Sequence, residues 1–153
     1  MSVSQEQFGV LDNRFLAKSV GVLDPHPPIL VHQETKLVEI LSRLQQEKIG
    51  CVLVTDVSGK LTGIFTERDA LLKVALKPLD VNITPVFRVM THNPQTATMT
   101  TTVALALNMM SHGGYRHIPI VDDEGYPVGV ISVKDIVDYV AHTVTRDLSK
   151  FGG

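Results

Sequence analysis

The string GIFTERD at Gly63–Asp69 returns as GVISVKD at Gly129–Asp135, 66 positions further on. Both read as glycine, two apolar residues, a hydroxyl, any residue, a cation and an aspartate. These types in this order suit a hydroxyl-rich anion. If the hydroxyl opens a helix, the free N–H groups of the first turn can meet a phosphate. Thr66 or Ser132 adds a donor, and Arg68 or Lys134 neutralises the anion. Asp69 or Asp135 can accept both hydrogens of a ribose diol. A structural reading also fits: a hydroxyl with a carboxylate three residues later is close to a capping box. Against it, both copies put a cation in the first helical turn, where the macrodipole disfavours positive charge.

The correspondence extends well beyond the string, without a gap. His26 and Pro28 fall on His92 and Pro94, Thr35 on Thr101, and Leu41 on Leu107. Asp56 and Gly59 fall on Asp122 and Gly125. The chain is a tandem duplication. Each copy opens on an extended segment around PPILV or PQTAT. A helix follows, with Leu37, Ile40, Leu41 and Leu44, or Val103, Ala106, Leu107 and Met110, at helical spacing. CVLVTD or HIPIVD then reads as a strand, VSGK or DEGY as a turn, and LTGIF or PVGVI as a second strand. TERDALLKVAL or SVKDIVDYVAHTV closes the copy as a helix. The order is β-α-β-β-α, twice, an α+β fold of small mixed sheets with helices on one face. KPLDVNITPVFRV joins the copies, and its two prolines argue against a long helix there. A three-stranded sheet covered on one face is poorly stabilised alone. Packing two copies about a pseudo-two-fold axis would cover the other face and set the two turns in symmetric clefts.

The bulk properties narrow the class. The 153 residues are 44% apolar and 20% charged, with a net charge of −2, which gives no bulk attraction for nucleic acid or an anionic membrane. The longest apolar run is too short to span a bilayer, and the N-terminus lacks the marks of a secretory signal. Cys51 is the only cysteine, so an internal disulfide is impossible, and a cytoplasmic location is expected. His26, His32, His92, His112, His117 and His142 show no metal-ligand spacing, so no metal site is expected, and each except His117 reads as solvated or capping. Cys51 reads as a buried, inert thiol and Met109–Met110 as core. No phosphate loop, dinucleotide turn or nucleophile elbow is present, so no catalytic residue is assigned.

The two copies resemble cystathionine β-synthase (CBS) domains, and the tandem resembles a CBS pair, or Bateman module. The resemblance rests on the G-h-h-S/T-x-x-D string with h-x-h-h-x-D-x-x-G upstream, both present twice over residues 20–145. It divides the chain into an extension (1–19), a first copy (20–80), a second copy (81–147) and a tail (148–153). It implies a non-catalytic regulatory module, with no required cofactor, that binds AMP, ADP, ATP or S-adenosylmethionine. A ligand-free dimerisation scaffold of the same fold is the alternative. It further implies a homodimer associated through helices, and a separate effector protein. Thr66, Asp69, Ser132 and Asp135 would hold ribose or phosphate, with Arg68, Lys134, Arg116 and His117 as the basic and polar partners. The adenine would pack near Ile29, Met90 and Thr96. Because Gly50 and Cys51 replace Arg116 and His117 in the first copy, unequal clefts are expected, and the Asp69 cleft is expected to receive His117 and Lys134.

Overall fold

The computed structural model describes residues 13–151, and residues 1–12 of the extension lie outside the described residues. Helix α1 (Asn13–Leu16) and a 3-10 turn at Val20–Leu23 come first. The first copy holds β1 (Leu30–His32), α2 (Leu37–Glu47), β2 (Cys51–Thr55), β3 (Leu61–Thr66) and α3 (Glu67–Asp69). The second holds β4 (Thr91–His92), α4 (Val103–Gly113), β5 (His117–Val121), β6 (Pro127–Ser132) and α5 (Val133–Phe151). The order is the expected β-α-β-β-α, twice.

Two corrections concern the closing helices. TERDALLKVAL does not form one regular helix: α3 widens into a π-helical turn over Ala70–Ala75. Pro78 stands just beyond, and the residue before a proline is pushed out of the helical region. No proline follows α5, which runs through Phe151 and takes in most of the supposed tail at 148–153.

The repeated D-x-x-G has a local cause. Asp56 Oδ1 accepts the N–H groups of Ser58 and Lys60 across the β2–β3 turn. Asp122 Oδ1 does the same for Glu124 and Tyr126. Gly59 and Gly125 carry φ of +89° and +91°, a backbone region costly for any side chain.

The sheets depart from the expected three strands because the copies exchange edges. The first sheet has order β1-β2-β3-β4, with β4 supplied by the second copy. The second sheet is the β5-β6 pair, extended by Ala97 beside Ile120 and by His26, from the first copy, beside Val130. The cores exchange in the same sense. Val86 and Met90 complete the first core around Phe65, Leu37 and Ile40. Phe15, Val20 and Leu23 complete the second around Ile118, Ile120 and Ile131, and Phe15 stacks on Tyr139 at 5.4 Å. The extension beyond residue 12 is therefore part of the second copy's core. Cys51, Leu53 and Ile64 pack toward Val130, covering the sheet face that one copy would leave bare.

Exchange on this scale makes each copy dependent on the other. A fragment of residues 1–80 lacks β4, Val86 and Met90, and should show no cooperative urea transition, whereas the whole chain should. A cooperative melt of the fragment would mean that the first copy is self-sufficient.

Candidate functional site

At the end of β3 the chain turns directly into α3, leaving N–H groups of the first turn without helical partners. Thr66 Oγ1 accepts the Asp69 N–H at 3.1 Å, and Asp69 Oδ2 accepts the Thr66 N–H at 3.0 Å. Ser132 and Asp135 repeat the pair at 3.1 and 2.8 Å. The capping box is therefore real in both copies. It uses one oxygen of each carboxylate, and it uses the hydroxyls only as acceptors. Each Oδ1 atom meets a further partner. At Asp69 that oxygen faces Lys73 Nζ, one turn along the helix at 3.3 Å.

A cavity of about 340 Å3 opens beside this corner, within the range typical of small-molecule sites. The first copy supplies Gly50, Ile64, Leu72 and Thr66–Asp69 to its walls. The second supplies Thr91, Pro94 and Gln95 from the exchanged segment, and Gly113–His117 from the end of α4 and the start of β5. Apolar surface from Ile64, Leu72 and Pro94 thus stands opposite polar groups. Arg68 Nη1 donates to the Gly114 carbonyl at 3.4 Å, tying the two copies across the mouth. Glu67 adds an acid to this rim.

His117 reaches the cavity because Gly50 has no side chain. A Cβ on Gly50 would lie 2.7 Å from His117 Nε2, closer than such atoms approach. Burial of the ring lowers the His117 pKa, opposed by the carboxylates of Glu67 and Asp135 and assisted by the Arg116 charge. At neutral pH His117 therefore offers a hydrogen bond and not a charge. Burial, with the nearby Glu67 charge, pushes the Cys51 thiol up to about 12, which makes it inert.

The structure thus brings Thr66, Arg68, Asp69, Arg116 and His117 to one cleft. It does not bring Lys134 there. That side chain lies in the first turn of α5, exposed, and donates to Asp138 at 2.6 Å. Its place follows that of Arg68 in the repeat, so it belongs on the side of Ser132 and Asp135. The adenine assignments also shift. Met90 is buried against Gly63 in the first core, Thr96 is exposed, and Ile29 packs on the first core; the walls instead use Thr91, Pro94 and Gln95. His26, read as solvated or capping, is found on Asp135 Oδ1 at 3.0 Å. The pairing of HPP with HNP was the available signal, since it places His26 in the segment that the second sheet borrows.

The CBS domain family model matches residues 20–76 and 86–142, two segments offset by the repeat. The chain belongs to the CBS domain family. The CBS domain-containing protein CBSCBSPB5 of Arabidopsis thaliana is 34% identical over 118 residues, 77% of this chain. This CBS pair spans only 21% of that relative's length. A CBS domain protein from Pyrobaculum aerophilum, solved in complex with AMP, superposes with a TM-score of 0.70 at 26% identity, over 76% of this chain and 88% of that one. A CBS domain pair solved with methylthioadenosine and S-adenosylmethionine gives 0.71 at 28% identity, over 80% of this chain and 98% of that one.

If Gly50 holds the imidazole in the cleft, Gly50→Ala should displace it at a cost of about 1–3 kcal/mol, as overpacking commonly does. In an NMR titration the ring should then protonate nearer its ordinary value of 6.5, whereas the native ring should protonate below it. Identical titration in the two proteins would rule out this role for Gly50.

Proposed function

We propose that this CBS pair is a regulatory module that binds an adenosine-containing ligand in the Asp69 cleft and catalyses nothing on it. The observation that carries the reading is hydrogen-bonding capacity that the capping box does not use, including the Asp69 oxygen that meets Lys73, at the wall of a cavity. Asp69 Oδ1 and the Thr66 hydroxyl are left over from the capping box at the wall of the 340 Å3 space. A ribose diol can donate twice to the carboxylate. Arg68 and Arg116 then suit a phosphate, and Ile64, Leu72 and Pro94 suit the base. Structural relatives solved with AMP, and with methylthioadenosine and S-adenosylmethionine, support the adenosine class. The two guanidinium groups favour AMP, ADP or ATP over the cationic S-adenosylmethionine. The module acts in the cytoplasm on a separate effector protein, reporting energy or metabolite state.

Asp69→Asn separates ligand binding from capping. An amide oxygen can still accept the Thr66 N–H, but an amide donor now faces the ligand. Hydrogen bonds to charged groups are worth about 1.5–3 kcal/mol, so affinity for AMP should fall roughly tenfold or more. Stability without ligand should change by less than about 1 kcal/mol. Calorimetric titration beside urea melts decides: unchanged affinity with lost stability would leave Asp69 a cap alone.

The module also works as a homodimer. Leu71 on the first closing segment and Leu76 just beyond it, and Val137, Val144 and Leu148 on α5, are exposed in the single chain. On α5 they recur at near-helical spacing, a stripe suited to a helical partner. Light scattering at micromolar concentration should return a dimer mass; a monomer mass with and without AMP would reject it.

A further inference from the structure

We infer that His26 decides which cleft is filled: it reserves the Asp135 carboxylate, so that the ligand is taken first at Asp69. The inference rests on the proposed adenosine-binding role of these carboxylates. Asp135 has both oxygens engaged. Oδ2 accepts the Ser132 N–H, and Oδ1 lies 3.0 Å from His26 Nε2, a residue of the other copy. The His26 backbone is fixed where it stands. Its carbonyl accepts the Val130 N–H at 3.1 Å, and Pro25 packs on Gly129, where a Cβ would meet the proline at 3.2 Å. The imidazole is 70% exposed while the carboxylate beneath it is 12% exposed, so the ring sits over the acid on its solvent side.

The pseudo-symmetric position differs. His92 pairs through its backbone with Gly63, and Asp69 Oδ1 is held instead by Lys73, a flexible side chain one turn along the same closing segment, at 3.3 Å. Tyr139 stands where the repeat would place a second Lys73. A ribose diol approaching Asp69 can share the oxygen with Lys73. At Asp135 it must first displace an anchored imidazole.

The test is calorimetric titration of the full chain with AMP. The native protein should take one equivalent per chain over the range in which His26→Ala takes two. With the first cleft weakened by Asp69→Asn, His26→Ala should tighten the remaining binding about tenfold. His26→Gln keeps an N–H donor and should resemble the native protein. If His26→Ala leaves the second site unchanged or weakens it while the native chain still binds AMP through Asp69, the reservation by His26 is wrong and the adenosine reading stands. If AMP binds none of the variants, both fall together.

Discussion

A strand that turns at once into a helix leaves backbone N–H groups facing outward, and both copies resolve this with one hydroxyl and one carboxylate. The corner at Thr66–Asp69 and its repeat at Ser132–Asp135 start the closing helices, and the first corner forms one wall of the cleft. A cap of this kind contributes about 1 kcal/mol. Its larger consequence is geometric. The carboxylate is held by folding, before any ligand arrives, with its second oxygen turned outward. Binding there need not order a loose side chain, which is a common cost of association. In the proposed role, stability and recognition draw on different atoms of the same residue.

The exchange of edges carries this corner into a shared site. Because β4 belongs to the first sheet and Val86 to the first core, and Val20 and His26 to the second copy's core and sheet, turning one repeat on the other would break these pairings. The Asp69 cleft inherits the arrangement. One wall comes from the first copy's capped corner and the other from the second copy's loop at Gly113–His117. A ligand spanning both touches groups that come together only when the copies are assembled, so its binding favours that assembly by mass action.

Much of this was written in the chain. The duplication, the element order, the hairpin turns at Asp56–Gly59 and Asp122–Gly125, and the set of Thr66, Arg68 and Asp69 follow from type and spacing, whereas Arg116 and His117 came only from the resemblance to the family. The exchanged edges did not, because a strand of two residues such as Thr91–His92 has no periodicity to detect. The interruption of α3 was masked by good helix formers, and the proline that limits it lies outside the helical string. Lys134 was misplaced because the exchange was applied to a residue that stays with its own corner, beside Asp138. His26 was missed because an imidazole before prolines carries no chemical signature until its partner, 109 residues away, is known.

The inequality of the two clefts arises from the duplication itself. Near a pseudo-two-fold axis, equivalent residues of the two copies approach one another, and they cannot all be large. His117 Nε2 lies where a Cβ of residue 50 would stand, so an arginine at 50, matching Arg116, has no room while His117 keeps its place. The position matching His117 is likewise held by Cys51, small and almost wholly buried. One copy must yield, and here the first copy yields at both positions. Arg116 and His117 line the Asp69 cleft, while the second oxygen of Asp135 takes a neighbour from the other copy. His26, anchored on the edge of β6, is that neighbour. The room that Gly50 leaves for His117 and the pairing of His26 with Asp135 are thus two departures from the symmetry of the repeat, and each makes the two corners unlike.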